Sequence, residues 1–284
     1  VNASPYKFDG PGGQGAEPHI HKVALPDPYR GIHQGSEPII AEAYAESVSK
    51  AIETIHSNGD KVGAYICESL QGVAGQIIMP NGYLKSVYEK VRAANGVCIA
   101  DEVQVGFGRV GTHMWAFQTQ DVVPDIVTLG KPIGNGHPLA AVIVKKEIAD
   151  AFANGMEFFN TFGGNPVSCA IGEAVLDVIE KESLQQNALD VGNYMRSELL
   201  KLQDKYDLIG DVRGVGLFNG VELVNDRSSK EPATEKMEWL IEHFKRNKIL
   251  LTSISQINYV KPLIFEYITS RLSLFQLSFV YISY

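Results

Sequence analysis

The sequence predicts an α/β protein: a mostly parallel sheet flanked by helices, followed by a small α+β domain. Three observations carry this. Short apolar runs alternate with stretches of helical spacing, the pattern of βα units on a parallel sheet. Two of those runs end in residues that carry chemistry, Asp101-Glu102 and Gly130-Lys131. And 284 residues, 45% of them hydrophobic, provide enough chain for a large core or two domains.

The elements follow in order. Residues 9–38 hold Gly10, Pro11, Gly12, Gly13 and Gly15 and read as a surface loop. Residues 39–57 have helical spacing at Ile40, Tyr44, Val48, Ile52 and Ile55. Val62–Cys67 is strand-like, and Tyr83–Ala94 is a helix with Leu84, Val87 and Val91 on one face. Two strands follow, one ending at Asp101 and one at Leu129, and Leu139–Val144 reads as a third. Asn165-Pro166 is a strong helix start, with Asn at the cap and Pro at the first helical position. Helical spacing then runs to about Leu202, with a break expected near Glu182. Gly214–Leu223 reads as one strand and Glu235–Arg246 as a helix. Residues 1–189 are expected to form part of a large domain and 190–262 a small, incomplete one. Residues 263–284 are apolar and β-prone, with only Glu266 and Arg271 charged. That run is too short and too interrupted to cross a bilayer, and reads as a truncated or mis-spliced ending.

The net charge of −8 does not advertise nucleic-acid binding. Cys67, Cys98 and Cys169 have no metal-ligand spacing and read as reduced, mostly buried thiols of an intracellular protein. Val1-Asn-Ala-Ser-Pro shows no features of a targeting peptide.

Lys131 emerges where an apolar strand ends, and parallel sheets bind ligands at that end. A lysine there suits a Schiff base with pyridoxal phosphate, and a strand-end aspartate suits the task of keeping the pyridinium nitrogen protonated. Each residue alone also has an ordinary reading, a solvated loop lysine and a helix-capping aspartate. The set decides. Asp101-Glu-Val-Gln-Val-Gly-Phe-Gly-Arg109, Val127-Thr-Leu-Gly-Lys131 and Thr161-Phe-Gly-Gly-Asn-Pro166 stand in this order. Together they resemble the signature blocks of class III aminotransferases, pyridoxal-phosphate enzymes of fold type I. Ser4-Pro-Tyr-Lys-Phe8, Leu25-Pro-Asp-Pro-Tyr-Arg-Gly31 and Leu208-Ile-Gly-Asp-Val-Arg-Gly-Val-Gly-Leu-Phe218 resemble the alanine–glyoxylate aminotransferase 2-like branch, which includes phospho-lyases of phosphorylated amines. The resemblance runs from about Ser4 to about Leu251.

The resemblance implies roles. Lys131 holds the cofactor and then serves as the base at the substrate's α-carbon; for this it must be desolvated or set near positive charge. Asp101 pairs with the ring nitrogen. Val103 packs on the ring face and Gln104 bonds the ring hydroxyl. Thr161 reaches the cofactor phosphate of a partner subunit, so a homodimer with its site at the interface is implied. Glu68 matches the family's strand-end glutamate, either as a buttress behind the site or as a cap. The substrate is a small-molecule amine, and mitochondria are the implied compartment, with the cytoplasm as the alternative.

Three departures refine this. Many members carry an acid after the Gln-Gly of the strand-end loop, paired with a C-terminal arginine that grips the substrate carboxylate. Here Gln71-Gly72 is followed by Val73, and Asn258-Tyr-Val-Lys261-Pro262 holds no arginine. Both fit a phosphorylated amine better than glutamate and favour phospho-lyase chemistry, with amino-group transfer to a keto acid as the alternative. Members also carry, before Ser-Pro-Tyr, a Gly-Ser/Thr phosphate loop and a ring-stacking aromatic that this chain lacks, which leaves a non-catalytic fragment as a second alternative. Finally, Gly106-Phe-Gly108-Arg-Val-Gly111 spells a dinucleotide fingerprint, but the acid expected at the end of the next strand is missing. Arg109 is read as a structural donor and His137 as a satisfied loop histidine.

Overall fold

The computed structural model of the chain describes residues 8–253, 263–266 and 279–283. Helix α1 (Glu37–Ser57) starts with a proline in its first turn and ends at Asn58-Gly59. It buries Ile40, Tyr44 and Val48, the face its spacing predicts. Strand β1 (Ala64–Glu68) follows, then α2 (Tyr83–Ala93) and β2 (Val97–Asp101). After a 3-10 turn at Ala116–Gln120 come β3 (Ile126–Leu129), a second 3-10 turn at Lys131–Gly134, and β4 (Ala141–Val144). The four strands form one sheet in the order β1-β2-β3-β4. The first three are parallel and β4 returns antiparallel.

The core lies between this sheet and helices α1 and α2. Tyr44, Tyr83, Leu84, Val87, Tyr88 and Val91 pack there with Cys98 and Ala100 of β2. Each such side chain contributes about 1.5–3 kcal/mol by leaving water. A buried carboxylate ties the sheet's lower end: Asp125 accepts from the Cys98 amide at 2.8 Å, from Arg92 at 3.0 Å and from Lys145 at 2.6 Å.

Helix α3 (Lys146–Phe152) leads into a loop and then α4 (Pro166–Lys181). Asn165 caps α4 as its sequence predicts, its Oδ1 accepting from the amides of Val167 and Ser168 at 3.0 and 3.2 Å. The expected break near Glu182 is present: α4 stops at Lys181 and α5 (Leu184–Lys205) begins after Ser183, which sits at φ 52°. The boundary drawn at 189/190 falls inside α5, which runs unbroken.

The second sheet differs from its sequence reading. Gly214–Leu223 is not one strand but parts of two, β5 (Ile209–Val215) and β6 (Phe218–Asp226), paired antiparallel. Gly216, at φ 53°, turns the chain between them. β7 (Glu231–Pro232) pairs with β6, and α6 (Thr234–Arg246) packs Met237 against Ile209, Val221 and Leu223. β8 (Leu250–Ser253) pairs with β9 (Leu263–Glu266), and β10 (Phe279–Ser283) runs parallel to β6. The remainder of the apolar stretch 263–284, and the block from Asn258 to Pro262, lie outside the described residues. No helix among the described residues is long and apolar enough to cross a membrane.

The three thiols are free, and two of them are at least partly buried. Cys98 is buried and Cys67 half-buried, but Cys169 is exposed on α4. Burial pushes the Cys67 and Cys98 thiols up to about 12, so neither is a ready nucleophile.

Candidate active site

Strand register assembles the site. β1 and β2 place Glu68 beside Asp101, and β2 and β3 place Asp101 beside Thr128. The three strands point the same way, so their carboxyl ends form one ledge. Lys131 stands three residues beyond Thr128, at the first position after Gly130. Thus Glu68, Asp101 and Lys131, 63 positions apart along the chain, meet at one edge of the sheet.

The lysine's backbone is unusual. Lys131 has φ 43°, in the left-handed region that costs a non-glycine residue roughly 1–2 kcal/mol. The following 3-10 turn holds it there, with Ile133 N donating to Gly130 O at 3.2 Å. His137, three residues past that turn, bonds Ser168 Oγ at 2.8 Å and fastens the segment to α4, the satisfied role expected of it. The enclosure expected around the amine is not found. Among the described residues Lys131 is exposed, and its charge helps to lower the Glu68 carboxyl.

Asp101 is fixed by a local turn: its Oδ1 accepts from the Val103 amide at 2.9 Å. Val103 lies against Gly130; a Cβ on that glycine would meet Val103 Cγ1 at 3.3 Å. Lysine, aspartate and the valine expected on a ring face therefore share one corner. Gln104 Nε2 approaches Glu68 Oε1 at 3.4 Å, so Gln104 belongs to the same corner.

Glu68 bonds the loop that follows β1 at Val73, where no helix starts. Its Oε2 accepts from Val73 N at 3.2 Å across the loop that follows β1. Burial pushes its carboxyl up to about 7; the Val73 amide and Lys131 pull it down, and Asp101 pushes it further up. Next to Asp101, Glu102 is wholly buried and turns away from the ledge. Its two oxygens accept from the Ala116 and Phe117 amides, both at 2.9 Å, at the start of the 3-10 turn. Burial raises its carboxyl as well.

Thr161 is placed differently. It sits exposed on the loop between α3 and α4, and its hydroxyl makes no hydrogen bond among the described residues. Met156, Phe158, Phe159 and Phe162 beside it are also exposed, Phe162 at 80%. No group of acids, cysteines and histidines among the described residues could hold a metal ion.

The glycine-rich segment 106–111 is not a dinucleotide loop, since no helix starts from it. It is a packing junction. A Cβ on Gly111 would lie 2.7 Å from the Leu189 backbone of α5, and Leu217 N donates to Arg109 O at 3.0 Å.

A lysine on left-handed backbone just past one strand end, with a fixed aspartate one strand over, is a pair that could anchor pyridoxal phosphate. The comparisons agree: residues 7–271 match the family described as aminotransferase class-III, and the chain belongs to that family. The family is pyridoxal-phosphate dependent and of fold type I. The chain is 48% identical over 258 residues to an alanine–glyoxylate aminotransferase 2-like protein of Drosophila melanogaster, covering 89% of this chain and 52% of that one. It is 45% identical over 246 residues to the mitochondrial alanine–glyoxylate aminotransferase 2 of Homo sapiens, covering 82% and 48%. A solved phospholyase from Arthrobacter, in complex with phosphoethanolamine, superposes with a TM-score of 0.78 at 38% identity, covering 84% of this chain and 56% of that one. The chain thus spans about half the length of the relatives it matches.

The residues present fit the cofactor's aldehyde and ring. Lys131 would supply the amine, Asp101 the acid for the ring nitrogen, and Val103 and Gln104 the surrounding contacts. Arg213, Glu102 and the Glu68–Val73 bond were not singled out as parts of this corner from sequence. Arg213 bonds Gly75 and Gln76 from 138 and 137 positions away, while the Glu68 and Glu102 bonds are closer in sequence but depend on how the turns after β1 and β2 fold.

Proposed function

We propose that this chain forms the lysine-bearing half of a pyridoxal-phosphate phospho-lyase acting on a small phosphorylated amine. The observation that carries the reading is the ledge where β1, β2 and β3 bring Glu68, Asp101 and Lys131 together. Pyridoxal phosphate, when bound, supplies a sink for the electron pair left at the substrate's α-carbon. Lys131 Nζ would hold the cofactor aldehyde and, when free, would take the proton from the substrate's α-carbon. Asp101 keeps a proton on the ring nitrogen, and Gln104 holds the ring hydroxyl. Glu68 keeps Gln104 and the 72–73 turn in place.

Val73 supports elimination over transfer. Its position follows Gln71-Gly72, and its amide is spent on Glu68. The turn therefore presents no acid to pair with a carboxylate-gripping arginine. Similarity to the phosphoethanolamine-bound phospholyase supports the same choice. Amino-group transfer is the second reading, supported by the names of the two aminotransferase 2 relatives.

The exposed Met156, Phe158, Phe159 and Phe162 support a homodimer in which Thr161 serves the partner's site. The mitochondrial human relative supports that compartment.

A product assay decides the reaction. Phosphate and ammonia released from phosphoethanolamine, without any keto acid, is the expected result. Turnover only when a keto acid is supplied would replace elimination by transfer.

A further inference from the structure

The turn that follows β1 is held from the other sheet. Gln71 and Ile77 pair across it, Gln71 N donating to Ile77 O at 3.2 Å and Ile77 N to Gln71 O at 3.0 Å. Between them Gly75 N donates to Gly72 O at 3.1 Å, and Gln76 Nε2 to the same oxygen at 3.0 Å. These bonds close the turn on itself. They leave the Gly75 and Gln76 carbonyls pointing outward.

Arg213 of β5 takes both. Its Nε donates to Gly75 O and to Gln76 O, each at 3.2 Å, and its Nη2 to Gly75 O at 2.7 Å. Its Nη1 donates to Asp211 at 2.6 Å and to Glu222 of β6 at 3.0 Å. Glu222 is almost fully buried and is paired on its other oxygen with Arg30, from the loop before α1. One planar fork therefore joins the β5–β6 hairpin to the turn. The turn in turn carries Val73, whose amide holds Glu68, and Gly72. A Cβ at Gly72 would meet Glu68 Oε1 at 3.1 Å and Gln104 at 3.3 Å. The chain of contacts runs from Arg213 through Gly75 and Gln76 to Val73, Glu68 and Gln104.

We propose that Arg213 is a positioning residue: by gripping the Gly75 and Gln76 carbonyls it fixes the turn that sets Glu68 and Gln104 beside Asp101. The effect on bound cofactor rests on the cofactor reading above; the grip on the turn does not. Stabilising Glu222 alone would require only a positive charge. Gripping two carbonyls and two carboxylates requires the guanidinium fork, which lysine lacks.

The test is Arg213→Lys, followed by hydrogen exchange of the whole chain without cofactor. Amides 72–77 are expected to exchange at least about tenfold faster than in the wild type. Amides of β2 and β6 keep their protection, because the charge facing Glu222 remains. Unchanged exchange at 72–77, or an equal rise across β5 and β6, would overturn the proposal. Should Arg213→Lys not fold, Glu222→Gln decides. Arg213 keeps its carbonyl bonds in that variant, so 72–77 should stay protected within about threefold while β6 loosens; a tenfold rise at 72–77 would refute the grip. With pyridoxal phosphate added, Arg213→Lys should move the absorption maximum of the bound cofactor. Arg227→Lys should not, because Arg227 bonds the α5 end and Ile209 O but not the 72–77 turn. No cofactor band in the wild type would refute the cofactor reading and leave the exchange result to stand on its own.

Discussion

Glu68 is the residue whose behaviour follows most directly from its surroundings. Burial raises its carboxyl to about 7, against roughly 4.3 for a free glutamate. Between those values the folded chain binds a proton that the unfolded chain has lost. Stability therefore falls as pH rises from about 4.3 to 7, and the loss is complete above the folded value. The loss amounts to at most about 4 kcal/mol, since each pH unit between those values is worth about 1.4 kcal/mol. Glu68→Gln should remove it. Its melting temperature, compared with that of the wild type at pH 5 and pH 8, should gain on the wild type at the higher pH. Parallel pH curves for the two proteins would mean that Glu68 is not the buried acid described. The sequence made Lys131 and Asp101 visible because each ends an apolar run. It could not reveal the left-handed backbone at Lys131 or the Val73–Glu68 bond, because both arise from how neighbouring strands and turns meet.

At the scale of elements, the longer helices were legible because each shows one apolar face at 3.6-residue spacing; α3, which buries no residue, was not. Asn165-Pro166 and the break near Glu182 were legible because capping and chain-reversal chemistry is local. The β5–β6 hairpin was not. Its turn at Gly216 lies in a run whose apolar residues continue on both sides, and the glycine looks like any glycine within a strand. The 106–111 segment shows the converse: a phosphate-loop spelling used for close packing. Gly111→Ala should cost roughly 1–3 kcal/mol, because the new Cβ meets the α5 backbone at 2.7 Å and φ is 75°. Thermal unfolding should show the loss as several degrees. An unchanged melting temperature would mean that α5 does not pack where the structure puts it.

For the whole molecule, the mostly parallel sheet and the family were legible because the family's motifs stand in order along the chain. Assembly was not, since a single chain gives only an exposed surface. If Thr161 serves a partner's site, mixed dimers of Thr161→Ala and Lys131→Ala subunits should regain activity, because one site per dimer keeps both residues. No recovery would place Thr161 and Lys131 in the same subunit's site. Removing a charge-assisted phosphate bond should weaken cofactor binding by roughly 10- to 100-fold in Thr161→Ala, the equivalent of about 1.5–3 kcal/mol. Beneath all of this lies the claim that Lys131 is the cofactor's anchor. The direct measurement is borohydride reduction of the protein with pyridoxal phosphate, followed by peptide mapping. The account predicts one stable pyridoxyl-phosphate adduct, on the peptide containing Lys131, absent from Lys131→Ala. An adduct on another lysine, or spread over many, would contradict it.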